Sequence, residues 1–204
     1  MLNKLFAFDE ELKKNFNVKF LAGVDEVGRG CLSGPIVSCA VVFSNYSYIP
    51  DLKESKSISP QKRIILFKKI LKSALDISVS ILSVQIINKI GISKANQLVM
   101  KYAVDNLSVK PQLVVVDGYR NPYIDLPQYH LTKADKKSAS VAAASIIAKV
   151  IRDTIMQKYH FLIPEYNFYK NKGYPTKEHI KAISKIGCCE LHRYYAYKFL
   201  NIKK

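Results

Sequence analysis

The chain has 204 residues, enough for one core domain with a small appendage and short of two full domains. Its 32 Lys and Arg against 16 Asp and Glu give a formal net charge of +16; such an excess points to a polyanionic partner, nucleic acid or an anionic surface, with a compositional bias toward Lys as the competing explanation. No apolar run reaches the ~18 residues of a membrane span, acids at Asp9, Glu10 and Glu11 interrupt any signal-peptide core, and Cys31, Cys39, Cys188 and Cys189 show neither C-x-x-C spacing nor scaffold density, which fits a reducing cytosol.

Residues 1–20 are polar and basic with a weak helical pattern. Phe20-Leu-Ala-Gly-Val-Asp25-Glu26 reads as a short strand that ends at its acids and runs into a turn at Gly28-Arg29-Gly30. Pro35–Phe43 is a β-branched second strand, and 44–59 is loop-like. Ser59-Pro60 opens a helix to about Ala74, with Ser59 as N-cap and Pro60 at the first helical position. Ile77–Val84 alternates as a third strand, and a helix covers roughly 93–107. Gln112–Asp117 is apolar almost throughout, so it is a central, buried strand; a short fifth strand falls at Gln128–Thr132. The clearest helix spans 138–158, its first half packed with alanines that allow close approach to a sheet. The remainder is basic, Tyr-rich and helical, broken by a loop at Lys170–Thr176. This order predicts an α/β layer fold with a mixed sheet.

Most acids lie in polar loops or on helix faces. Asp25, Glu26, Asp117 and Asp135 instead sit at strand ends or just before the alanine-rich helix, which gather at one sheet edge in α/β folds. Four carboxylates together repel one another, and a divalent cation offsets that; oxygen ligands without a Cys/His cluster favour Mg2+ or Mn2+ over Zn2+. The competing readings are a helix cap for Asp135, a turn residue for Asp117 and a solvated strand end for Asp25-Glu26. Neighbours in a regular strand point to opposite faces, so the strand is expected to distort or end at Asp25-Glu26. The Gly28-Arg29-Gly30 turn is not a dinucleotide loop, because a β-branched run rather than a helix follows it. Glycines there let a ligand approach the backbone.

Ala22-Gly-Val-Asp-Glu-Val-Gly-Arg-Gly30 with Gly34-Pro-Ile-Val resembles the N-terminal signature of type 2 ribonuclease H, the RNase HII family. Asp51-Leu-Lys-Glu-Ser-Lys-Ser-Ile-Ser59 resembles its D-S-K-K-L-S stretch, with Ser57 and Ile58 standing where Lys-Leu is usual. Val115-Val-Asp-Gly118, Lys133-Ala-Asp135 and Ala142–Asp153 resemble its third- and fourth-carboxylate segments. Lys172-Gly-Tyr-Pro-Thr176 with His179, and His192-Arg193, resemble its C-terminal motifs, although Tyr194-Tyr-Ala196 replaces the expected Ser-Phe. The related RNase HIII carries an extra N-terminal domain and typically lacks the Arg of the glycine turn. About twenty residues precede the motif here and Arg29 is present, which fits type HII.

The resemblance implies an RNase H-like fold: a mixed five-stranded sheet flanked by helices, as a catalytic core over 1–160, with a small helical C-terminal extension over 161–204. It implies an endonuclease that cuts RNA in RNA–DNA hybrids and single ribonucleotides in duplex DNA, on the 5′ side, leaving 3′-hydroxyl and 5′-phosphate ends. Asp25, Glu26, Asp117 and Asp135 are then the metal-binding catalytic carboxylates, holding two Mg2+ or Mn2+ ions. Gly28, Arg29 and Gly30 face the ribonucleotide, whose 2′-hydroxyl marks it as RNA. Tyr174 packs on the sugar at the junction, and Lys56, Lys172 and Arg193 contact phosphates. A cytoplasmic monomer without a membrane anchor or clear clamp-binding motif is expected. A binding protein without catalysis, or a nuclease of the same fold acting on DNA junctions, are the alternatives; neither accounts for a Gly-Arg-Gly turn beside four acids.

Overall fold

The computed structural model describes residues 4–45, 47–53 and 55–199, except for the side chains of Lys56 and of 197–199. Five strands form one sheet: β1 (Leu21–Val27), β2 (Ile36–Phe43), β3 (Ala74–Leu82), β4 (Leu113–Asp117) and β5 (Gln128–Leu131), in the order β3-β2-β1-β4-β5. The first three form an antiparallel meander, while β4 and β5 run parallel to β1. The helices are α1 (Lys4–Asn15), α2 (Pro60–Ser73), α3 (Val84–Ile90), α4 (Ile92–Asp105), α5 (Ala139–Leu162), α6 (Phe168–Asn171), α7 (Lys177–Ile186) and α8 (Tyr194–Phe199).

Alternation along the strands builds two cores. Val37, Cys39, Val41 and Phe43 face α1, α2 and α5; Ala40 and Val42 face α4. Every residue of β2 is buried, as a strand covered on both faces must be. The alanine-rich half of α5 lies directly on β1. A Cβ added at Gly23 would stand 2.3 Å from the Val141 nitrogen, so the missing side chain sets the helix-to-sheet distance. The start of α5 is capped by the Ser138 hydroxyl, which accepts from Val141 N–H at 3.2 Å. Asp9 of α1 adds a second acceptor, taking the Ser140 N–H and hydroxyl at 2.8 Å each.

The C-terminal helices pack through Tyr166, Phe168, Ile183 and Ala196 onto Met156 of α5 and Leu32 of the β1–β2 loop. Backbone bonds stitch that loop to the C-terminal segment: Leu32 N–H donates to Gly173 C=O, Gly34 N–H to Leu191 C=O and Arg193 N–H to Leu32 C=O, each at 2.9 Å.

The predicted mixed sheet and flanking helices are present, with local differences. Asp25 and Glu26 do not end β1: both pair regularly with Cys39 and Ser38, and the strand stops one residue later, before Gly28 at φ +107°. The strand needs no distortion because it delivers the two acids to opposite faces of its own end. α3 is not anticipated by periodicity; seven residues are too few to show it, and its marks are the Ser83 cap and the turn at Gly91. β3 begins at Ala74, directly at the end of α2, and α5 continues past 158 to Leu162. Among the described residues no helix is long and apolar enough to cross a membrane.

Candidate active site

β1 and β4 are parallel neighbours in register from Leu21↔Leu113 to Val24↔Val116. The next positions are Asp25 and Asp117, which therefore emerge side by side on adjacent strands at the sheet's C-terminal edge. Gly23 and Asp25 share the face covered by α5, whereas Glu26 faces α4. Asp135 lies in the short turn Ala134–Lys136 just before α5, and is buried.

Asp25 is 6% exposed. Burial first, then the Asp117 charge, pushes its pKa up to about 7, and Asp135 acts in the same direction. Burial and then Asp25 push Glu26 up to about 8. Asp25, Glu26 and Asp117 line one cavity of about 440 Å3, with Gly28, Arg29, Gly30, Ser145, Lys149 and Tyr174 among its other walls.

The acids share a cleft rather than a closed coordination shell. Among the described residues no set of three His, Cys, Asp or Glu side chains is drawn tightly enough to enclose an ion. Their oxygens instead accept from the backbone: Asp25 Oδ1 from Glu26 N–H and Asp117 Oδ1 from Ala134 N–H, both at 2.7 Å. The donor chemistry nevertheless fits a hard divalent cation: oxygens only, from buried Asp25 beside half-buried Glu26 and Asp117, with too little opposing charge.

The glycine turn is held from behind. Gly28 has φ +107°, and a Cβ there would stand 2.3 Å from Arg152 Nε, so glycine is required both sterically and conformationally. Gly30 has open space around it. Among the described residues the N–H groups of Arg29 and Gly30 have no hydrogen-bond partner, so they are available to a ligand. Arg152, fully buried, donates to the carbonyls of Pro35 (2.9 Å), Lys172 (2.9 Å) and Ser33 (3.1 Å). Arg193, also fully buried, donates to those of Gly34 (3.0 Å), Arg29 (3.2 Å) and Pro35 (3.1 Å).

That burial bears on one expectation: the Arg193 guanidinium, expected at a phosphate, donates to backbone carbonyls. Its place is structural, tying the C-terminal segment to the glycine turn. Lys172 stands apart from the carboxylate cleft, in a neighbouring groove with Arg63 and Asp153. Its ammonium bonds the Tyr169 carbonyl and lies over the Tyr169 ring at 4.9 Å. Lys56 lies in the turn Ser55–Ser57, its side chain outside the described residues. That turn is fixed at the cleft by the Ser55–Ser145 hydroxyl pair at 2.8 Å and by Arg63, which donates to the Ser55 and Ile58 carbonyls.

Tyr174 lines the same cavity as Asp25, Glu26 and Asp117. Its ring borders the cleft, with the Lys149 ammonium 5.2 Å and the Arg152 guanidinium 5.7 Å from its centroid. Burial, then nearby Cys31, pushes its phenol up to about 12, so it stays protonated. The backbone at Tyr174 is reached by a buried relay. Cys189 N–H donates to His192 Nδ1 at 3.0 Å, so His192 carries its proton on Nε2 and donates to His179 Nε2 at 3.2 Å. His179 Nδ1–H then donates to the Tyr174 carbonyl at 2.9 Å. Both rings are neutral: burial, then His179, pulls His192 down to about 4, and burial lowers His179. Sequence reasoning passed over Arg152, Ser145 and Lys149 as site residues. Their only signal is their place on the alanine-rich helix, at a spacing that puts them on one side of it.

Comparison with known proteins gives the family and the fold. The family model described as Ribonuclease HII matches residues 22–201. A curated ribonuclease HII of Caldicellulosiruptor saccharolyticus is 44% identical over 188 residues, covering 92% of this chain and 91% of that protein. The ribonuclease H2 of Pyrococcus horikoshii OT3 superposes with a TM-score of 0.74 at 26% identity, covering 89% of this chain and 97% of that one. Bst-RNase HIII, solved in complex with Mn2+, shares the fold at 21% identity and a TM-score of 0.68, over 91% of this chain and 70% of that one.

Proposed function

From the premise that this chain belongs to the ribonuclease HII family and is a ribonuclease H nuclease, we propose that it cuts at ribonucleotides in duplex DNA, including single embedded ones, as well as in RNA–DNA hybrids. The cut falls on the 5′ side of the ribonucleotide and leaves 3′-hydroxyl and 5′-phosphate ends. The observation that carries this reading is a single cleft in which Asp25, Glu26 and Asp117 meet the Gly28–Gly30 turn and Tyr174. Acids alone suit many phosphoryl-transfer sites. The adjoining turn adds a backbone that can read a sugar hydroxyl.

Each group has a task set by its position. Asp25, Glu26, Asp117 and Asp135 hold divalent cations, Mg2+ or Mn2+. When bound, such ions lower the pKa of the attacking water and stabilise the leaving 3′-oxygen. No histidine base is needed, and His130 on β5 faces outward, exposed. The N–H groups of Arg29 and Gly30 donate to the 2′-hydroxyl that distinguishes RNA from DNA. Gly30 leaves room for the sugar, since no neighbour lies within 4 Å of where a Cβ would stand. Tyr174 packs on the sugar next to the ribonucleotide. Lys149 at the cleft wall, with Lys56 on its turn, supplies phosphate contacts. In this reading the chain acts as a monomer on cytoplasmic DNA in ribonucleotide removal.

The deciding measurement is Mg2+- or Mn2+-dependent cleavage of a DNA duplex with one embedded ribonucleotide, beside the all-DNA duplex and an RNA–DNA hybrid. Incision only where a ribonucleotide is present, with a 3′-hydroxyl found by end-labelling, is the expected result. Cleavage of the all-DNA duplex at a similar rate overturns the reading, as does binding without incision.

A further inference from the structure

Alternation in β1 sends Glu26 to the α4 side of the sheet, and a second cavity of about 350 Å3 opens there. Glu26, Arg29 and Asp117 belong to its walls as well as to those of the first cleft. The acids thus form a ridge between two cavities, and Tyr174 borders only the first. A nucleic-acid strand with a phosphate on that ridge must continue in both directions. We propose that the second cavity is a nucleotide subsite for the side of the cut away from Tyr174, in which Tyr119 stacks on a base and Arg120 meets a phosphate. This deepens the reading under Proposed function and rests on it.

The subsite has a rigid frame. Buried Asn121 donates its N–H to Gln128 Oε1 and its Nδ2 to the Gln97 carbonyl, both at 2.8 Å. Its Oδ1 accepts from Tyr123 N–H at 3.0 Å. Gln128 Nε2 returns to the Asn121 and Ile124 carbonyls at 2.9 Å each. The loop after β4 is therefore locked to α4 and β5, and Gly118 at φ +103° turns the chain out of the strand.

On that frame stand groups with nothing to do in the free protein. Tyr119 is 83% exposed and, among the described residues, has no ring or hydroxyl partner. An aromatic held on a fixed turn in water loses little entropy on stacking. Arg120 is exposed and likewise has no ion pair among the described residues. Asn96 of α4 is a wall of this cavity, and its buried Oδ1 has no hydrogen-bond partner among the described residues. A buried acceptor without a donor is unusual; a sugar hydroxyl or the exocyclic amine of a base supplies one. Stacking face, cation and acceptor are together the chemistry of a nucleotide.

The test is anisotropy binding of labelled duplexes containing one ribonucleotide, with Ca2+ replacing Mg2+. Three duplexes are used: one long on both sides of the ribonucleotide, and two shortened on one side or the other. Tyr119→Ala should weaken binding of the long duplex about tenfold, within the range of one lost base–aromatic stack. That loss should persist on one shortened duplex and vanish on the other, with Tyr174→Ala giving the opposite pattern. Tyr119→Phe keeps the ring and should bind as wild type. Arg120→Gln should lower the slope of log affinity against log salt by about one. An unchanged affinity for Tyr119→Ala, or equal loss on both shortened duplexes, overturns the subsite. Failure of the unmodified enzyme to cut at the ribonucleotide would instead overturn the underlying reading, so the two failures are distinguishable.

Discussion

A buried carboxylate beside another carboxylate stays destabilising until a cation joins it or a proton neutralises it. Asp25 occupies that position beside Asp117, and burial and the neighbouring charge act on it together. Asp25→Asn or Asp117→Asn should reduce cleavage to background. The metal-free variant should melt about 2–4 °C higher than wild type, the shift that ~1 kcal/mol produces in a chain of this length. Turnover and calorimetry check the two halves separately; a variant with wild-type turnover removes that residue from the catalytic set. Tyr174 makes a different contribution, through shape and stacking rather than charge. With stacking worth about 1–3 kcal/mol, Tyr174→Ala should slow incision at a single embedded ribonucleotide by roughly 10- to 100-fold. The loss on an RNA–DNA hybrid should be smaller, because no junction is read there. Equal losses on both substrates would reduce Tyr174 to general support. Metal binding should be unchanged, since the ring is not a ligand.

Elements place these residues, and glycine decides how closely the elements approach. A methyl at Gly23 would collide with the first turn of α5, the helix whose start carries the neighbours of Asp135 and whose next turns carry Ser145 and Lys149. Gly23→Ala should therefore cost about 1–3 kcal/mol, as overpacking does. Activity should fall with stability, because the helix carries part of the cleft; circular dichroism melts and initial rates measure both. The sheet and the long helix were legible in sequence because their signals are long: β-branched runs at Pro35–Phe43 and Gln112–Asp117, and an unbroken alanine face on α5. The acids were legible as exceptions to polar-loop placement. The role of Arg193 was not. A basic residue near a chain's end reads as solvated or phosphate-facing, and only the fold shows three backbone carbonyls enclosing it. The buried relay from Cys189 to Tyr174 was equally hidden, since His179 and His192 stand thirteen positions apart with no shared period. Its sign with pH follows from the depressed pKa of His192. A histidine whose folded pKa is about 4, below its usual 6.5, adds stability that is full above pH 6.5 and is lost as pH falls through about 4. The groups facing it are His179, Cys189 and the Tyr166 ring. Protection of the Tyr174 and Thr176 amides, the intrinsic rate over the observed one, should fall between pH 6 and 4, and His192→Gln should flatten that dependence. Exchange that follows only the intrinsic trend would show that the relay does not hold the loop.

Over the whole molecule, the charge is the wrong sign for its own active site: +16 overall around a cluster of acids. Local ion pairs offset little of the excess: Lys101–Asp105 and Lys149–Asp153 each neutralise one cation within a single helix. A field of that magnitude attracts a polyanion from a distance and concentrates it near the surface. The acids then need only divalent cations, which a duplex also attracts, to receive a phosphate. Two contributions to affinity follow, with different responses to salt. Contacts of Lys and Arg with phosphates release counterions, so log affinity should fall linearly with log salt at about −0.9 per phosphate neutralised. The stacking of Tyr174 and the backbone donors of the glycine turn should be nearly indifferent to salt. Raising salt should therefore weaken binding to all-DNA and ribonucleotide-containing duplexes in parallel, while the ratio between them stays constant. Anisotropy titrations in Ca2+ between about 50 and 200 mM salt, the interval over which several phosphate contacts change affinity by orders of magnitude, read both quantities. A slope near zero would mean that the basic charge is compositional bias with no part in binding. A ratio that collapses with salt would mean that the ribonucleotide is recognised through charge, and the task assigned to Gly28–Gly30 would pass to the lysines around the cleft.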